Sequence, residues 1–139
     1  MTMPMTLESA ERVPWRRRLA ARVAVAVARP VAALPPARLS RVLTLASRRA
    51  RPASAARADE ARRAVVSVSV RCAGQVCLQR AVATALLCRF GGTWPDWCTG
   101  VRLHPFKAHA WVEAEGRPIG ENAEVGAFSK VLVVSAGRR

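Results

Sequence analysis

Apolar positions recur with a helical period in the first half of the chain and with a strand period in the second. The first predicted helix runs from about Pro14 to Ala28 and stops at Arg29-Pro30, because proline lacks a backbone donor and clashes with the preceding turn. A second helix is read from PPARLSRVLTLASRRA. It starts near Pro36 and carries Leu39, Val42, Leu43 and Ala46 at i, i+3, i+4, i+7, one face of an amphipathic helix. A third, SAARADEARRAVV, takes Ser54 as its N-cap just after Arg51-Pro52. No internal repeat interrupts this series.

From Val65 the texture changes. VVSVSVRCAG reads as an extended lead-in or as the end of the third helix, with β-branched alternation favouring the lead-in. A helix then runs from Cys77 to about Phe90, and Gly91-Gly92 stops it. Strands are predicted at Cys98 to Leu103, Ala108 to about Ala114, Arg117 to about Glu121 and Val131 to Val134. Helices followed by an antiparallel sheet make the class α+β: a Cys-bearing helix on a small sheet, preceded by N-terminal helices. The division falls at residues 1–64, an Arg-rich helical region, and 65–139, the helix-and-sheet core.

Length and charge narrow the picture. A chain of 139 residues buries a core without disulfide or metal staples. The net charge is +14, and residues 1–63 hold fourteen arginines against four acidic residues. Arginine on solvated helix faces accounts for most of this. Without interleaved aromatics it does not indicate nucleic acid, and an acidic protein or peptide partner explains it equally well. The longest apolar run, LAARVAVAVARPVAALPP from Leu19, is broken by Arg22, Arg29 and Pro30 and falls short of a membrane span. Glu8, Glu11 and Pro14 ahead of Arg16-Arg17-Arg18 do not read as a secretory signal. The expectation is a cytoplasmic protein whose four cysteines are thiols.

Two stretches carry chemistry. Cys77 opens its helix, where unsatisfied backbone N–H groups and the helix dipole stabilise a thiolate, with Arg71 and Arg80 acting in the same direction. A buried structural cysteine is the plain alternative. In AHAWVEAEG, alternation puts His109, Trp111 and Glu113 on one face of a strand and Ala108, Ala110 and Val112 on the other. Ala81 and Ala85 let the Cys77 helix lie close on the sheet, so His109 can serve Cys77 as base and acid. A third group must orient the imidazole. A two-residue hairpin loop at Glu115-Gly116 places Asn122 opposite His109, whereas a three-residue loop with Gly116 in a bulge places Glu121 there. Both residues are chemically competent.

CLQRAVATALLCRFGG, WPDWCTGVRLHPFKAHAWVE and GRPIGE resemble the stand-alone leader peptidase of lasso-peptide biosynthesis, over about residues 65–135. That family is similar to transglutaminase-like and papain-like cysteine proteases. The resemblance implies that residues 65–139 are a transglutaminase-like catalytic core with Cys77 as nucleophile, His109 as base and Glu121 as the acidic residue, where the family usually has Asp. It implies a ribosomal precursor peptide with Thr at the second-last leader position, a separate leader-binding protein, and a downstream cyclase similar to asparagine synthetase. No cofactor and no metal are implied. Gln75 and Gln79 are candidate oxyanion donors beside the Cys77 backbone N–H. Trp94, Trp97 and Trp111 line a peptide groove or fill the core. The Arg-rich helices are the expected docking face for the leader-binding protein.

Two other functions compete. A zinc site would draw on Cys72, Cys77, Cys88, Cys98, His104 and His109. The spacing lacks short CxxC knuckles, and Cys77 and Cys88 on one helix lie roughly 16 Å apart along its axis. A non-catalytic basic adaptor would work through the Arg-rich helices alone.

Overall fold

Small side chains set how closely the helices pack. The computed structural model describes residues 14–69 and 77–137. Helix α1 (Trp15–Ala32) buries Ala21, Ala24 and Ala28, a face of alanines only, against the central helix α4 (Cys77–Phe90). An alanine seam brings two helix axes close together. The helix runs through Pro30 to Ala32 rather than stopping at Arg29. Pro30 sits in the last turn, so its missing donor costs one hydrogen bond, and its carbonyl still accepts from Ala33 N at 3.2 Å.

Helix α2 (Pro36–Ala46) begins with Pro at its first turn and buries Leu39 and Leu43, as its periodicity predicts, while Val42 stays exposed. Helix α3 (Ala55–Val68) is capped by Ser54, whose Oγ accepts from Arg57 N at 3.1 Å. It continues through Val65 to Val68, so this part of VVSVSV is helix and not extended chain. Val65 explains why: it is fully buried beside Ala58, Ala61 and Ala64, so tertiary packing overrides β propensity. The expected boundary at residue 64 therefore falls inside α3.

Helix α4 is buried on nearly all sides, with Ala81, Val82, Ala83, Ala85, Leu87 and Cys88 in one core with α1, α3 and the sheet. It ends where expected: Gly91 N and Gly92 N bond the carbonyls of Cys88 and Arg89 at 2.9 Å, and Gly92 has φ +87°. Arg89 Nε donates to Ala46 O at 2.7 Å and so ties the end of α4 to the end of α2.

The chain then forms a four-stranded antiparallel sheet in the order β5-β4-β3-β6. Its strands are β3 (Asp96–Arg102), β4 (Lys107–Ala114), β5 (Arg117–Pro118) and β6 (Ser129–Val134). A short parallel pair, β1 (Arg51–Pro52) with β2 (Thr93–Trp94), links the α2–α3 connection to the end of α4. The α+β class holds. Ala110, Val112 and Ala114 of β4 join the helical core, and Trp94 and Trp97 are buried in it. Neither tryptophan lines a groove. Glu115, in the β4–β5 turn, accepts from Ala55 N at 2.7 Å, which docks the hairpin on the N-terminus of α3. No helix among the described residues is long and apolar enough to cross a membrane.

Candidate active site

Cys77 stands at the first position of α4, half-buried, and His109 is the third residue of β4. The two line one cavity of about 250 Å³, together with Thr99, Gly100, Ala108 and Val131. Its wall is mostly small and apolar. Gly100 faces His109 in the β3–β4 register, and β6 shifts its register between Thr99 and Gly100. A Cβ at Gly100 would lie 2.6 Å from Ser129 O and 3.0 Å from Trp111 Cη2. The absent side chain thus lets β6 and the Trp111 ring close in beside the imidazole.

His109 is held on three sides. Its Nε2–H donates to Glu121 Oε1 at 2.7 Å, with both side chains largely out of water. Its ring stacks on Trp111 at 5.6 Å between centroids and 17° between planes, and Phe128 closes in at 5.5 Å, tilted by 46°. The indole is fixed in turn: Trp111 Nε1 donates to Glu113 Oε2 and Lys130 Nζ donates to Glu113 Oε1, both at 2.9 Å. The hydrogen bond to Glu113 raises the Lys130 pKa, which keeps its ammonium charged. The alternation read from the sequence is thus realised as a His109–Trp111–Glu113 row. The carboxylate occupies Nε2 and leaves Nδ1 as the nitrogen available toward Cys77.

The position of Glu121 is not a register effect. Ala114 pairs with Arg117, which makes a two-residue loop with Glu115 at φ 55° and Gly116 at φ 77°. Register alone would bring Asn122 opposite His109. Strand β5, however, ends at Pro118 rather than reaching Glu121, and after Ile119 N bonds Val112 O the chain turns at Gly120, φ +70°. Glu121 then reaches the imidazole from outside the ladder. Asn122 instead caps a 3-10 helix (Ala123–Ala127), its Oδ1 accepting from Glu124 N at 2.9 Å.

The remaining candidates fall into place around this. Arg80 lies 4.0 Å from Glu121 Oε2, on the carboxylate side of the imidazole. Gln79 is buried, and its amide nitrogen has no partner among the described residues, but it does not line the Cys77 cavity. Cys72, Arg71 and Gln75 lie outside the described residues. Among the described residues no three His, Cys, Asp or Glu side chains form a metal-holding group.

A family model for the transglutaminase-like superfamily matches residues 9–133. The chain belongs to the transglutaminase-like superfamily. No curated protein and no solved structure matches it. The superfamily includes cysteine proteases, and the match takes in α1 to α3 as well as α4 and the sheet. In this transglutaminase-like fold, Trp111, Glu113, Lys130, Phe128 and Gly100 all support His109. The alternation in the sequence places Trp111 and Glu113 on this face but assigns them no such part. The WxE spacing after His109 was the available signal, because an indole and a carboxylate two residues apart on a strand meet on one face.

Cys77 is half-buried, whereas the other described thiols are fully buried. Burial pushes the Cys88 thiol up to about 11 and the Cys98 thiol up to about 12, with Glu113 adding to the rise at Cys98. Iodoacetamide at neutral pH is therefore expected to label Cys77 in the folded protein and spare Cys88 and Cys98, as read by peptide mass spectrometry. Equal labelling of the three would show that Cys77 has no special environment.

Proposed function

We propose that this transglutaminase-like protein is a cysteine peptidase that removes the leader from a ribosomally made lasso-peptide precursor. The observation that carries the reading is the 2.7 Å bond from His109 to Glu121, beside a cavity that His109 shares with Cys77 at a helix start. The Cys77 sulfur attacks the carbonyl at the leader–core junction, and His109 takes up the thiol proton. Collapse of the tetrahedral intermediate breaks the C–N bond, and His109 protonates the departing core amine. The leader remains as a thioester on Cys77. Water deprotonated by His109 then attacks it, freeing the leader acid and the thiol. The Cys77 backbone N–H at the start of α4 supplies one donor for the oxyanion.

The cavity wall of Thr99, Gly100, Ala108 and Val131 suits a small or β-branched side chain beside the cut. This is consistent with a leader that carries Thr at its second-last position. The reading is tested by incubating the protein with such a precursor and a separate leader-binding protein and following masses. Appearance of free leader and free core is the expected result; a precursor that stays intact with both proteins present would sink the proposal. The core peptide is the form that an asparagine-synthetase-like cyclase would take up.

The leader-binding protein docks on the outer face of α1. Trp15, Leu19, Val23 and Val27 form an exposed apolar row at every fourth residue, flanked by Arg16, Arg18 and Arg22. Beside it, Arg16 and Arg17 border a surface cavity with Leu87 and Phe90. Replacing Arg16, Arg17 and Arg18 by Glu is expected to weaken the complex about tenfold or more in a binding titration and to leave Cys77 alkylation unchanged. An unaltered dissociation constant would remove α1 from the interface.

A further inference from the structure

His109 borders a second cavity of about 310 Å³, and its character is opposite to the first. Arg62, Arg80 and Lys107 line it together with Glu121 and Glu124. Three cations thus face two carboxylates, and one of these, Glu121, is already engaged by His109 and lies near Arg80. We propose that this cavity is a carboxylate-binding subsite, built on Arg62 with Lys107 and Arg80 beside it.

The argument rests on Arg62. Its guanidinium is half-buried and, among the described residues, has neither a hydrogen bond nor an ion pair. Gly120 makes its position possible: a Cβ there would come within 2.6 Å of Arg62 Cδ, Nε and Cζ. The Arg62 donors face the cavity without an acceptor in hydrogen-bond reach among the described residues, and a planar five-donor fork matches a carboxylate in two parallel bonds. Burial, and then the neighbouring Arg80, hold the Arg62 pKa below its ordinary value, while Glu121 and Asp59 act to raise it. A purely internal role, with Arg62 and Arg80 attracting the Glu121 carboxylate, would not need an open, solvent-connected cavity.

The subsite deepens the peptidase reading and rests on it for one point only, that the carboxylate belongs to a peptide substrate. His109 lines both cavities, so a peptide lying across His109 meets two unlike walls. One takes a small apolar side chain, and the other takes a carboxylate from an acidic side chain or from a chain terminus.

Three probes separate these sources: N-acetyl-glutamate amide carries a side-chain carboxylate, N-acetyl-glutamine carries a terminal one, and N-acetyl-glutamine amide carries none. The chain has two histidines, so the His109 ring resonances can be followed by NMR in the whole protein. We expect a saturable shift with one or both carboxylate probes and at least about tenfold weaker binding of the neutral one, the size of a charge-assisted hydrogen bond. Arg62→Gln should abolish the difference and Arg62→Lys should keep part of it. Arg63→Gln, on the exposed side of α3, should leave it intact. Equal binding of all three probes, or wild-type behaviour of Arg62→Gln, would overturn the subsite. If Arg62→Gln does not fold, Lys107→Gln at the start of β4 should still narrow the difference, and failure to do so counts against the proposal. Carboxylate binding together with a Cys77 inert to iodoacetamide would leave the subsite standing and remove the peptidase.

Discussion

Replacing Cys77 with Ala is expected to reduce leader cleavage to the uncatalysed background, a loss of about 10⁶-fold by comparison with other nucleophiles that act as a unit with their base. In the proposed mechanism the thiol forms the bond to the scissile carbonyl, so no neighbouring group can take over its part. Because the two residues act together, His109→Ala should cost nearly as much, and the double variant should be no worse than either single one. Folding should survive the change at Cys77, since the side chain is only half-buried at the end of a helix. The measurement is precursor turnover by mass spectrometry with thermal melting as the control. A well-folded Cys77→Ala protein that still supports leader removal would point to the basic-adaptor reading, in which the Arg-rich helices do the work.

Glu121 gives the second large effect. Glu121→Gln keeps an oxygen that accepts from His109 Nε2–H but removes the charge that stabilises an imidazolium. Loss of a charge-assisted bond of about 1.5–3 kcal/mol corresponds to a fall of about 10- to 100-fold in kcat, with little change in KM. Glu121→Ala frees the ring as well and should fall further. Asn122→Ala is the informative contrast. Its amide caps the 3-10 helix and does not touch the imidazole, so about 1 kcal/mol of stability should go while kcat stays close to wild type. If instead Asn122→Ala cripples turnover and Glu121→Gln does not, the orienting group has been misassigned.

The legibility of the chain varied with the kind of signal each segment carried. Pro36, Ser54 and Gly91-Gly92 act through local backbone chemistry, and the helix ends that they predict are found close to their places. Pro30 and VVSV misled because their outcome depended on packing: buried alanines hold α1 together through one missing hydrogen bond, and buried Val65 draws a β-branched run into α3. The tryptophans were ambiguous for a related reason, since an indole serves a groove or a core equally well until its neighbours are known. Trp94 and Trp97 went to the core, and Trp111 went to the support of His109.

The sequence by itself determined the parts with a fixed period or a fixed local rule. These are the α+β order of elements, a cysteine at the start of a glycine-stopped helix, and a strand that puts His109, Trp111 and Glu113 on one face. Tertiary structure decided which groups meet. Glu121 reaches His109 only because β5 breaks off at Pro118 and Gly120 turns the chain, and no periodicity records where a ladder stops. The Lys130–Glu113 bond, the approach of Phe128 and the lodging of Arg62 against Gly120 join residues from different elements. Such contacts depend on how helices and sheet close on one another, which local pattern does not encode.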